Sequence, residues 1–309
     1  MMKRWMLLIL AALLCCACAL AEEPAAPTLY DASETLGYES HYLLYDEAFF
    51  EAEDEQAGQV VRLDYTTEVY DKEMKRWVNV YLPYGYDENG TERYPIIYFF
   101  HGGGCDQNTI LGNPYTKNAL DHMISTGVTE PFIVVAPTYY YNPRTKAQDM
   151  ALFEQEMLLD IMPAVEGTYR TYAESADEAG FAASRDYRAM CGFSNGSGYA
   201  WHMAVNMMAY SRYFLPCSGA MMSDEEYQTL VDTAAAHQGE FFIYLSCGGP
   251  EDVAYEHCLN MTARLREEEA FSYGVGEDDN FFFSLSENKH LDNCTRYYLY
   301  NAFVDVLFK

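Results

Sequence analysis

Basic residues are scarce in this chain: 19 Lys and Arg stand against 47 Asp and Glu in 309 residues. So acidic a surface repels nucleic acid and other polyanions, which excludes the nucleic-acid-binding classes and favours neutral or cationic substrates. Long apolar runs are missing too. Beyond the N-terminus no stretch reaches 18 consecutive apolar residues, so no membrane span is expected. Beyond the N-terminal apolar stretch no CxxC pair and no Cys/His metal spacing occurs, and neither a metal nor a cofactor is implied. No internal repeat and no Pro/Ser-rich linker divides the chain. At this length, with half its residues apolar, it has enough for one large domain with a sizeable core.

The N-terminus carries what the rest lacks. Lys3 and Arg4 precede an apolar run from Trp5 to Leu14, and Ala19-Leu20-Ala21 is a small-x-small cleavage site. Residues 1–21 are therefore expected to be a signal peptide, and the protein to be secreted. The second reading is a lipoprotein modified at Cys18. Removing the leader leaves 17 basic residues against 47 acidic ones, a formal charge of −30. Residues 22–57 form an acidic segment, expected as a mobile lead-in or a strap over the domain that occupies 58–309. Six cysteines remain after cleavage, and export permits disulfides. Cys191 and Cys217 lie in apolar runs and read as core thiols, while Cys258 and Cys294 are the first pair to test. Four Asn-x-Ser/Thr sequons occur, at Asn89, Asn195, Asn260 and Asn293.

Strand and helix patterns alternate from residue 60 onward. Strands are expected at 60–65, 76–82, 95–101, 132–137, 187–193, 213–218, 241–247 and 280–286. The middle runs, such as Ile-Ile-Tyr-Phe-Phe, are continuously apolar, as strands buried on both faces must be. Helices are expected at 149–169 (broken by Pro163), 195–208, 253–268 and 293–307, with another opened by the capping box Ser223-Asp224-Glu225-Glu226 and ending near His237. The first two strands read as an antiparallel edge. The fold class is α/β: a mostly parallel eight-stranded sheet with helices on both faces.

One motif in this frame carries chemistry. Gly192-Phe193-Ser194-Asn195-Gly196 has the form G-x-S-x-G, follows a strand and opens a helix, which is the context a nucleophile elbow requires. Ser194 is the candidate nucleophile. His101-Gly102-Gly103-Gly104 ends the third strand, and a glycine loop there can aim backbone N–H groups at a carbonyl oxygen. The expected oxyanion hole is the N–H of Asn195 with that of Gly103 or Gly104; His101 itself reads as structural. The acid should follow the seventh strand, and Asp252 is preferred there over Glu251. The base should be a His after the last strand. His290 sits in a polar loop before the final helix, whereas His257 falls within the helix after the acid and is expected to be carried away from the sheet edge. Tyr139, Tyr140 and Tyr141 follow the fourth strand and are candidates to stack on a sugar or an aromatic acyl group.

Together, Val78-Asn79-Val80-Tyr81-Leu82-Pro83, the His101 glycine loop, Met162-Pro163-Ala164-Val165-Glu166, Cys191 to Ser197 and Asp252-Val253-Ala254-Tyr255 resemble the esterase D-like family. That family contains feruloyl and acetylxylan esterases, S-formylglutathione hydrolases and siderophore esterases. The resemblance covers residues 58–309 and implies an α/β-hydrolase fold with Ser194, Asp252 and His290 as a catalytic triad. Two departures stand out: Asn195 replaces the usual Met, and Ser286 to Leu291 replaces a Gly-Gly-x-His-x-Trp-like segment. The expectation is a serine esterase acting on small-molecule or polysaccharide esters, with feruloyl or acetyl groups favoured. Its rivals are a siderophore esterase, an acyltransferase of the same fold, and a catalytically weak surface binding protein.

Overall fold

The computed structural model describes residues 26–309 except 46, 53–54, 142–145, 148–149 and 221; the leader expected at 1–21, with Cys18, lies outside the described residues. An eight-stranded sheet forms the centre. Its strands are β1 (Gln59–Thr67), β2 (Met74–Leu82), β3 (Ile96–Phe100), β4 (Ile133–Ala136), β5 (Arg188–Phe193), β6 (Tyr213–Cys217), β7 (Phe242–Cys247) and β8 (Phe281–Leu285). Each lies within two residues or so of its expected span. They run in the order β8-β7-β6-β5-β3-β4-β2-β1. Pairing is parallel from β8 through to β4, while β1 and β2 form the antiparallel edge.

The continuously apolar strands are buried on both sides because side chains alternate between two cores. In β3, Ile96, Tyr98 and Phe100 enter one core, and Ile97 and Phe99 the other. Helices cover both faces: α1 (Pro114–Ser125), α2 (Asn195–Asn206), α3 (Asp224–Ala236), α4 (Tyr255–Leu265) and α5 (Thr295–Asp305). The capping box at Ser223 forms as its sequence requires, with the Ser223 hydroxyl accepting from Glu226 N–H.

Three features differ from expectation. Pro163 does not break its helix. The chain runs helically from Met150 to Glu166, with a wide π turn over Met157–Ile161 just before the proline. The proline lacks an N–H, and the widened turn accommodates it. Helices at Gln107–Leu111, Pro114–Ser125 and Glu178–Ala183 carry Asp106, Asn113 and Asp177 as side-chain caps, signals that the apolar pattern did not expose. The cysteine pairing is also corrected. The six cysteines form no disulfide among the described residues, and Cys258 and Cys294 belong to cores on opposite faces of the sheet, so no bond can join them.

Part of the acidic segment is ordered against the domain. Thr28–Asp31 and His41–Leu44 form a hairpin. Ser40 donates to Phe283 O at 2.8 Å and accepts from Leu285 N, and Tyr42 accepts from Asn288 at 2.8 Å. The hairpin thus braces β8 and the loop that leaves it.

Candidate active site

Backbone geometry at the end of β5 fixes Ser194. The residue sits at φ 54°, ψ −116°, a region that L-residues rarely occupy, and helix α2 starts immediately after it. The flanking glycines make the turn feasible. A Cβ on Gly192 would lie 2.0 Å from Gly196 O, and one on Gly196 would lie 2.3 Å from Phe100 O. Neither position admits any other residue without moving backbone. Ser194 N–H donates to Cys217 O at 2.8 Å, tying the elbow to the neighbouring strand. The partial positive charge of the α2 N-terminus falls on the same spot.

Three side chains meet there. His290 Nε2 lies 2.8 Å from Ser194 Oγ, and His290 Nδ1 lies 2.7 Å from Asp252 Oδ1. Asp252 has no exposed side-chain surface. Burial would push its carboxyl upward, but hydrogen bonds from His290, the Ala254 N–H and the Ser218 hydroxyl outweigh it and hold the carboxyl below its ordinary value. Glu251 points into solvent and pairs with Lys289 at 2.5 Å. The four donor contacts on Asp252 include Gly248 N–H at 3.2 Å and Ser218 Oγ at 2.7 Å. Ser218 escaped sequence reasoning, although it follows β6 directly and β6 lies beside both β5 and β7. It sits at φ 50°, a second strained serine at the same sheet end.

The two candidate glycines of the loop differ in their surroundings. Gly104 N–H is donated to the Tyr140 hydroxyl at 2.7 Å and is therefore engaged. Gly103 faces Asn195, with 3.6 Å between its Cβ position and the Asn195 Cβ. His101 is buried, with its ring nitrogens 2.8 Å from Gly102 O and 2.8 Å from Thr138 Oγ1, a structural role.

Of the three tyrosines, Tyr139 is not available to stack on a ligand. Tyr139 is fully buried, stacked between His101 at 4.2 Å and Tyr199 at 4.0 Å. Its hydroxyl donates to His101 O at 2.6 Å and accepts from the Asn195 amide at 3.2 Å, so it orients the residue after the nucleophile. Tyr140 holds Gly104 as described, and the side chain of Tyr141 lies outside the described residues.

A cavity of about 430 Å³ opens over Ser194 and His290, walled largely by Met150, Gly198, Ala220, Val253 and Ala254. His257 lines it as well, contrary to the expectation that α4 would carry this residue away. The reason is that α4 starts only at Tyr255, so its first turn still flanks the strand ends. Among the described residues no group of three or more His, Cys, Asp or Glu could hold a metal, and no helix is long and apolar enough to cross a membrane.

Known proteins share this architecture. The family model described as "Putative esterase" matches residues 71–282. Endo-1,4-beta-xylanase Y of Acetivibrio thermocellus is 36% identical over 260 residues, 80% of this chain and 23% of that protein. An endo-1,4-beta-xylanase/feruloyl esterase of Xylanibacter ruminicola is 26% identical over 184 residues, 56% of this chain and 23% of that protein. The chain thus spans about a quarter of the length of these relatives. Among solved structures, a mutant of the feruloyl esterase module from Clostridium thermocellum, complexed with sinapinate, superposes with a TM-score of 0.77. It is 31% identical, over 86% of this chain and 93% of that one. Strand order, elbow and these relationships agree: the chain belongs to the esterase family and has an α/β-hydrolase fold similar to that of the feruloyl esterase module.

Proposed function

We propose that Ser194, His290 and Asp252 act as nucleophile, general base and orienting acid in acyl transfer to water. The observation that carries this reading is the continuous line of short contacts from Ser194 Oγ through the imidazole to the buried Asp252 carboxylate. His290 Nε2 takes the Oγ proton as Ser194 attacks the ester carbonyl. Asp252 accepts from Nδ1–H, fixing the tautomer and stabilising the imidazolium. The N–H groups of Asn195 and Gly103 receive the oxyanion. Collapse of the intermediate returns the proton to the departing alcohol, and a water activated by the same imidazole releases the acid and frees Ser194.

The substrates are esters of plant polysaccharides, feruloyl rather than acetyl. The names of the xylanase and feruloyl esterase relatives support the class. The apolar cavity of about 430 Å³ supports the larger acyl group, since an acetyl would leave most of it empty. Residues 1–21 act as an export leader, residues 22–57 as a brace and 58–309 as the catalytic domain.

Methyl ferulate hydrolysis by the chain lacking its leader tests the reading. Turnover is expected with wild type, and Ser194→Ala is expected to lose several orders of magnitude while folding normally. A serine-directed phosphonate should label Ser194 alone. A mutant retaining a tenth of the turnover, or a label on Ser197, overturns the assignment.

A further inference from the structure

A second, larger hollow adjoins the nucleophile cavity. It measures about 760 Å³, in the range that holds a ligand well beyond a single acyl group. Met150, Gly198, Ala220 and His257 line both spaces, so the two are immediate neighbours. The groove runs between α2, α3 and α4, away from Ser194. We propose that it binds the alcohol half of the ester, as a neutral oligosaccharide chain. The proposal rests on the esterase reading above and adds where the leaving group lies.

The two compartments differ in chemistry. The nucleophile cavity is mostly apolar, as an aryl acyl group needs. The groove has an apolar floor that includes Val205, Met222 and Met261, and exposed amide and hydroxyl groups on its walls from Asn206, Asn260 and Thr229. A sugar ring matches that mixture, with C–H faces for the floor and hydroxyls for the walls. The ionisable groups are largely neutralised by partners. His202 pairs with Glu154 at 2.8 Å. Arg264 pairs with Asp224 at 3.2 Å and lies 3.6 Å over the Tyr227 ring. Glu226 is engaged by the Ser223 N–H and hydroxyl. Glu225 remains as an exposed carboxylate on the rim, and in a chain this acidic it repels anionic ligands. The Asn206 amide donates to His202 O at 3.0 Å and the Thr229 hydroxyl to Glu225 O at 2.9 Å, both keeping oxygen lone pairs for a ligand hydroxyl. A fatty acyl chain that buried the Asn260 amide would offer it no partner, at a cost of about 1–3 kcal/mol.

Two exposed positions away from Ser194 test this: Asn260→Trp and Thr229→Trp each put an indole into the groove. The measured quantity is kcat/KM for a feruloyl ester of a xylan-derived oligosaccharide divided by that for methyl ferulate. Wild type is expected to prefer the oligosaccharide ester, and each variant to lower the ratio about tenfold, through KM. An unchanged ratio in both variants overturns the proposal. So does a groove that discriminates long-chain from short-chain acyl esters of methanol instead. Calorimetry on Ser194→Ala with the unesterified xylo-oligosaccharide reads the groove without turnover. Binding that Asn260→Trp weakens tenfold supports it, and no binding in the parent overturns it. If wild type cleaves neither ester, the esterase reading fails, and the calorimetry still decides the groove.

Discussion

The two ends of strand β5 are built on opposite principles. At its start, Arg188 is almost wholly buried and fully partnered. Its guanidinium holds both oxygens of Glu166 at 2.8 and 2.6 Å, and also reaches Ser184 Oγ, Phe181 O and Tyr210 O. Tyr98 and Thr171 donate to the same carboxylate. Six residues later the chain is strained at Ser194, packed glycine against backbone, and its polar atoms face a cavity. The guanidinium of Arg188 spends its donors on groups within the protein, whereas the second end keeps groups available for a substrate. One strand thus anchors rigidly where it enters the sheet and stores strain where it leaves.

Substitutions at each end sharpen this contrast. The largest effect is expected at the strained end. His290→Ala should reduce kcat by a factor on the order of 10⁴ to 10⁶, with Asp252→Asn somewhat less damaging because the imidazole remains. Neither should lower the melting temperature much. Although His257 lines the cavity, it contacts neither Ser194 nor Asp252, and His257→Ala should retain kcat within about an order of magnitude; parity with His290→Ala would reverse the assignment of the base. These rates are read on methyl ferulate.

At the anchored end the effect should appear in stability instead. Arg188→Met leaves Glu166 buried without its cation and should cost about 3–5 kcal/mol of unfolding free energy in urea titrations. Combining it with Glu166→Leu should recover most of that loss. If Arg188→Met instead abolished kcat in a chain that melts normally, the two ends would not be separable.

Ser218 gives the smallest effect and joins the two properties. Ser218→Ala removes one donor from Asp252 and should cost about 1–2 kcal/mol, roughly tenfold in kcat/KM. It should also shift acid stability. The Asp252 carboxyl is held below its ordinary value, so it contributes stability that is present above its unfolded-state pKa and lost as pH falls through the lower folded-state one. With a donor removed, the folded-state value rises, so the contribution shrinks and its loss is complete at a higher pH. An acid-unfolding midpoint that stays put would show that Ser218 contributes nothing to holding the charge.

Sequence reasoning succeeded where local chemistry and pattern coincide. The eight strands were legible because buried strands are uninterrupted apolar runs, and the tight turn at Ser194 because an elbow needs glycines at fixed offsets. That Asp252 and His290 lie beside it followed from their order relative to the strands. Three matters were not legible. Tyr139 and Tyr140 were placed at the correct sheet end, but whether an aromatic side chain points outward or packs under the glycine loop depends on contacts with His101 and Tyr199, distant in sequence. The engagement of Gly104 depends on one such hydroxyl. His257 was misjudged because the onset of α4, two residues later than its polar pattern suggests, decides which way its first turn faces.

The position of Trp201 gives the molecule an optical reporter. The chain has three tryptophans, and Trp5 lies in the expected leader. Trp77 sits on the β2 edge with the Arg62 guanidinium 4.2 Å above its ring. Trp201 is buried on α2 and lines the groove, and its Nε1–H donates at 2.9 Å to Gly219 O, which borders the nucleophile cavity. With the leader gone, only one indole stands between the two compartments. A ferulate-type acyl group absorbs in the near ultraviolet, where indole emits, so its arrival in the cavity should quench Trp201 by energy transfer, and Trp201→Phe should remove most of that signal.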